Sequence, residues 1–110
     1  MAARLIRTVG TGTANTAKTV TSPSEGPLRL LFTTVKYSAS PTQAGVTVTL
    51  NSGAGAAYDT VLSTGTENAQ ANVYAPTGEI IISPDDVVDV LAPAGGADIT
   101  AAIAIYTRPA

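Results

Sequence analysis

A chain of 110 residues, 45% hydrophobic but only 5% aromatic, fits one domain whose core is thin and built from Val, Ile, Leu and Ala. Six basic and eight acidic residues give a formal net charge of -2, and the basic ones are scattered, which argues against nucleic acid as a partner. The chain holds no Cys, His or Trp, which removes disulfides, thiol chemistry and the usual general base for a serine nucleophile.

In chain order, the first element is Ala3 to Val9, which can pair as an edge strand or lie out as an arm. Arg4 and Arg7 bracket only Leu5 and Ile6, too short an apolar run for a signal peptide, and no stretch has the length to span a bilayer. The expectation is a soluble protein made in a cytoplasm, without membrane contact. Thr11 to Thr21 is Thr-rich and reads as a weak strand or extended arm, so residues 1–21 form an N-terminal arm or edge strand. The rest, 22–110, forms the domain. Ser22 to Pro27, with two prolines and a glycine, is a turn.

Leu28 to Tyr37 is a central strand, with Leu28, Leu30 and Phe32 on one face and Arg29, Leu31, Thr33, Val35 and Tyr37 on the other. Val46-Thr47-Val48-Thr49-Leu50 alternates cleanly, Val and Leu inward. After the turn Asn51 to Gly55, Ala57 to Leu62 reads as a strand, as does Ala69 to Ala75. Glu79-Ile80-Ile81-Ile82 is a branched run expected to be buried on both faces. Ser83-Pro84-Asp85-Asp86 is a turn, Val87 to Leu91 a strand, and Ile99 to Tyr106 the closing strand, with Ile99, Ala101, Ile103 and Ile105 on one face. Seven to nine strands and no helix predict an all-β fold, a single antiparallel β-sandwich of jelly-roll or immunoglobulin-like topology.

Motifs with chemical spacing are few. Asp85, Asp86 and Asp89 form an acidic cluster, but the ligand rhythm of a calcium loop is missing, and Ser-Pro-Asp-Asp before a strand reads as a capped turn. Asp59 and Glu79 have nothing to fix their separation as a glycosidase pair. Gly53-Ala54-Gly55 lacks the Lys-Ser and helix start of a phosphate loop. No catalytic residue, metal ligand or cofactor is expected, and the protein is read as a non-enzyme. The four tyrosines sit singly and suit core filling or interface anchoring.

The Val-Thr-Val-Thr-Leu strand, the run Asn51 to Leu62, the Pro-Thr-Gly-Glu-Ile-Ile-Ile segment, the Asp-Val-Val-Asp-Val strand and the final Ile-Ala-Ile-Tyr together resemble small β-sandwich or jelly-roll structural proteins of tailed bacteriophages. The likeness covers roughly Leu28 to Thr107. It implies a decoration or cement protein on the outer capsid surface of a virion, binding the major capsid protein or other virion proteins across neighbouring subunits. A thin core and low charge also suggest a homo-oligomer. Arg4, Leu5, Ile6 and Arg7 are the candidate capsid or subunit contacts. Two other classes are a neck, tail or fibre component, and a carbohydrate- or receptor-binding sandwich with Tyr37, Tyr58 or Tyr74 exposed on one face.

Overall fold

A computed structural model describes residues 5–21 and 26–110. Arg4 and the Ser22 to Glu25 part of the expected turn lie outside the described residues. Within them the chain forms β1 (Ile6–Gly12), β2 (Thr16–Thr21), β3 (Leu28–Tyr37), β4 (Thr47–Asn51), β5 (Thr60–Thr64), β6 (Ala71–Tyr74), β7 (Ile80–Ile82), β8 (Val87–Ala92) and β9 (Ala101–Pro109).

These strands build two antiparallel sheets. The five-stranded sheet runs β1-β9-β3-β6, with β7 also paired to β3, and the four-stranded sheet runs β2-β8-β4-β5. The pairing is nested. β4 pairs with β5; flanking them in sequence, β3 pairs with β6 and β7; then β2 pairs with β8 and β1 with β9. One long antiparallel hairpin is thus rolled across two sheets, which is the strand order of a jelly roll. An immunoglobulin sandwich would instead place its first, second, fourth and fifth strands together in one sheet.

Segment 1–21 supplies, over its described residues, an edge strand to each sheet. Asn15 anchors the bend between β1 and β2, its Oδ1 accepting from the Ala94 N–H at 2.8 Å. Close approach of the two edges needs Gly12, where a Cβ would sit 2.4 Å from Thr16 Oγ1. On the opposite side the sheets part slightly, leaving a cavity of about 40 Å³ lined by Val35, Val46, Val48, Ser63 and Tyr74 among others.

The core lies between the sheets. Leu28, Leu30, Val35, Ile103 and Ile105 meet Val48, Val88, Val90 and Val20, with Tyr37 completely enclosed. Each such aliphatic side chain contributes about 1.5–3 kcal/mol on burial. The Tyr37 hydroxyl donates to the Pro93 carbonyl at 2.7 Å, which satisfies the one polar atom the ring brings inside.

Three sequence expectations change. In β3 the pairing with β9 slips between Leu30 and Phe32, a β-bulge that reverses the alternation. Leu28 and Leu30 face inward before it, but Thr33, Val35 and Tyr37 face inward after it, and Phe32 is turned to the outside. The isoleucine run is not buried on both faces: β7 is a three-residue edge strand, Ile82 is buried and Ile81 is exposed, because β6 and β7 share one side of β3 and no described residue covers their outer face. Tyr58 lies in a short 3₁₀ turn, Ala56–Tyr58, rather than on a strand. There Gly55 takes φ +128° and Asp59 Oδ1 accepts from the Ser52 N–H at 2.8 Å, closing the loop before β5 begins.

Candidate interaction face

The outer surface of the five-stranded sheet is the candidate site, and cross-strand register places its residues. Directly paired residues share a face. Arg108 therefore stands beside Arg29, and Arg29 beside Ile81. The next row is Arg7, Tyr106 and Phe32; then come Val9, Ala104, Thr34 and Val73; then Thr11, Ala102, Lys36 and Ala71.

Three properties set this face apart. First, it gathers four of the six basic side chains, Arg7, Arg29, Lys36 and Arg108, and none of its five strands carries an acid. Among the described residues these cations form no ion pair. Second, it exposes apolar groups: Val9 is 55% and Val73 72% accessible. Third, Phe32 and Tyr106 stack across the strands with centroids 4.3 Å apart and planes inclined by 21°. Small side chains at Ala102, Ala104 and Thr34 leave a shallow depression of about 240 Å³, with Arg7 and Lys36 on its border. Arginine and aromatic residues on a rigid sheet are the composition of a protein contact face.

The outer surface of the four-stranded sheet differs in charge. It is rich in threonine, exposes Val61 and Leu91, and carries Asp89 between Thr19 and Thr49. Asp89 Oδ1 is enclosed without a hydrogen-bond partner. Around one end of this sheet stand Asp59, Asp85 and Asp86. Asp86 Oδ1 accepts from the Gly53 N–H at 2.8 Å and its Oδ2 from the Ser83 N–H at 3.3 Å. These two bonds make 83–86 the capped turn read from the sequence, and Asp85 holds φ 73° within it. Among the described residues no group of three or more acids is placed to hold a metal ion.

Of the sequence candidates, Leu5 is exposed just before β1, Ile6 points inward against the core, and Arg7 points outward. The alternation of β1 thus divides the described part of the expected cluster, sending Ile6 inward and Arg7 to the basic face, while Arg4 lies outside the described residues. Tyr37 is buried, Tyr74 is half-buried and packs on the core, and Tyr58 is 68% exposed on its turn, so the three form no common patch. Asp59 and Glu79 precede strands of different sheets. The sequence reading missed Phe32, Arg29, Tyr106 and Arg108 as a group. Arg29, Phe32 and Tyr106 fell in strands read from the sequence and Arg108 lay just past the closing one, but which strand lies beside which is not written in local periodicity.

No helix among the described residues is long and apolar enough to cross a membrane. Compared with known proteins, the chain matches no family model, no curated protein and no solved structure.

Proposed function

We infer that this chain is a non-enzymatic structural protein of a virion, a decoration or cement protein that binds the assembled shell across neighbouring capsid subunits and stabilises it. The observation that carries this reading is the outer face of the five-stranded sheet, where arginines, a stacked aromatic pair and exposed valines are presented without a deep pocket. Such a face fits a large, shallow protein surface better than a small molecule. The resemblance read from the strand and turn pattern of residues 28–107 motivates the same reading. Binding across subunits adds the free energy of each contact to the shell's resistance to rupture.

A neck or tail component is the second reading. It is favoured by one observation, the opposite charge of the two outer faces, which suits subunits repeating around a ring. Of the three tyrosines named for the carbohydrate-binding class, Tyr58 alone is exposed. Copy number separates the first two. Quantitative mass spectrometry of particles purified from the source should find this chain at a simple fraction of the major capsid protein. Abundance far below that overturns decoration in favour of neck or tail, and complete absence overturns both.

A further inference from the structure

The two outer faces of the sandwich differ in charge and point in opposite directions. One carries Arg7, Arg29, Lys36 and Arg108; the other carries Asp89, with Asp59, Asp85 and Asp86 at its rim. The arginines and the acidic rim also lie at the same end of the molecule. Arg29 and Arg108 flank the pairing of Leu28 with Ile82 and Pro109, and the chain passes from Ile82 through the turn 83–86 into β8 of the other sheet. Gly53 and Ser52, bonded to Asp86 and Asp59 respectively, fix the remaining acid to that end.

Contacts between two copies therefore differ sharply by which faces meet. Basic face against basic face opposes four cations to four, and acidic face against acidic face opposes carboxylates, one with an oxygen already lacking a hydrogen-bond partner. Like charges brought together cost several kcal/mol. Basic face against acidic face, with the ends aligned, sets arginines against carboxylates, and each face also exposes apolar side chains, Val9 and Val73 on one and Val61 and Leu91 on the other.

We propose that the protein associates with itself head to tail, the basic outer face of the five-stranded sheet of one copy seating on the Asp89-bearing outer face of the four-stranded sheet of a second copy. This rests on the reading of the basic face as a protein contact, and it names a second copy, rather than a capsid subunit, as what that face meets. Because each copy offers both halves, the contact is heterologous and repeats into a ring or a stack rather than stopping at a two-fold dimer.

The test uses the full chain and two charge-reversed variants, Arg7→Glu/Arg108→Glu on the basic face and Asp89→Lys/Leu91→Lys on the acidic face. Circular dichroism and thermal unfolding first establish that both are folded; a variant that fails is replaced by Lys36→Glu or by Leu91→Lys alone, each of which still changes the charge of its face. Sedimentation then gives the mass of each. The expected result is an oligomer for the natural chain that dissociates about tenfold more readily at 1 M salt, where charges are screened beyond about 3 Å. Each variant alone should be monomeric, and an equal mixture of the two should regain the oligomer, since reversed faces complement each other. A natural chain that is monomeric at low salt overturns the proposal, and so does either variant assembling as the natural chain does or a mixture that stays monomeric. Incorporation into source particles is measured in parallel. If Arg7→Glu/Arg108→Glu assembles normally yet no longer enters particles, the self-contact falls while the reading of the face as a virion contact stands.

Discussion

Arg29 stands directly opposite Arg108 on neighbouring antiparallel strands, two like charges in register on the outside of a sheet that carries no acid. Such a pair lowers the stability of the isolated chain by about 0.2–1 kcal/mol relative to a neutral pair. It is a cost that a contact face tolerates, because the compensating charge comes from the partner.

The first prediction follows from that cost. Arg29→Glu converts the repulsive pair into an attractive one and should raise the melting temperature at low salt, compared at a concentration where sedimentation shows both chains monomeric. Thermal unfolding at about 0.02 M and about 1 M salt checks it, since the gain must shrink as the charges are screened. An equal gain at both salt concentrations would assign the effect to something other than the pair.

The aromatic pair on the same face carries a second expectation. Phe32 and Tyr106 stack at 4.3 Å only because the bulge after Leu30 turns Phe32 outward. Aromatic pairs contribute about 0.5–1.5 kcal/mol beyond their buried area. A double-mutant cycle with Phe32→Ala and Tyr106→Ala should return a coupling of about 1 kcal/mol in urea unfolding. A coupling near zero would mean the rings are neighbours without mutual stabilisation.

The strands were largely legible in the sequence, and the face was not. Val46 to Leu50 alternates with a period of two, and the structure turns Val46 and Val48 inward as that alternation predicts; Val87 to Leu91 was legible as a strand in extent alone. Leu28 to Tyr37 was legible in extent but not in facing, because one extra residue at a bulge reverses every side chain beyond it, and nothing in Leu-Leu-Phe marks that residue. The isoleucine run misled because three branched residues signal burial only if the strand is central, and β7 sits at an edge. Arg7, Arg29, Lys36 and Arg108 are scattered along the chain; the long-range pairings β1 to β9 and β9 to β3 collect them. Asp86, by contrast, was readable as a capping residue, since its partners lie close in the turn and in the facing Gly53 loop.

Two loops at the end away from the arginine cluster are tied together by one buried side chain. The Gln43 amide oxygen accepts from the Gly45 N–H, and its nitrogen donates to the Ala69 carbonyl at 3.3 Å. Gly45 adopts φ +114°, and a Cβ there would lie 2.6 Å from the Gly65 carbonyl oxygen. Gly45→Ala should therefore destabilise by about 2 kcal/mol or more, combining backbone strain with a backbone clash. Gln43→Ala should cost about 1–3 kcal/mol by leaving buried polar groups unpaired. Denaturant unfolding checks both, and a double variant should lose less than the sum, because both substitutions break the same clasp. Full additivity would show that the two residues act separately.

The last prediction concerns alkaline pH. Burial raises the Tyr37 hydroxyl above its ordinary value of 10.0, because the enclosed ring cannot hydrate a phenolate. Its neutral hydroxyl also donates to Pro93. In the unfolded chain the same group ionises at the ordinary value, so the folded state binds its proton more tightly. The contribution of Tyr37 to stability is then fully present below pH 10 and is lost as pH rises through the higher folded value. Tyr37→Phe removes both the hydrogen bond and this pH dependence. At about pH 8 the natural chain should be more stable than Tyr37→Phe by about 1 kcal/mol. By about pH 11 that advantage should narrow, because ionisation then favours only the unfolded natural chain. Urea unfolding at the two pH values decides it: an advantage that stays constant would mean the Tyr37 hydroxyl ionises as readily in the fold as out of it.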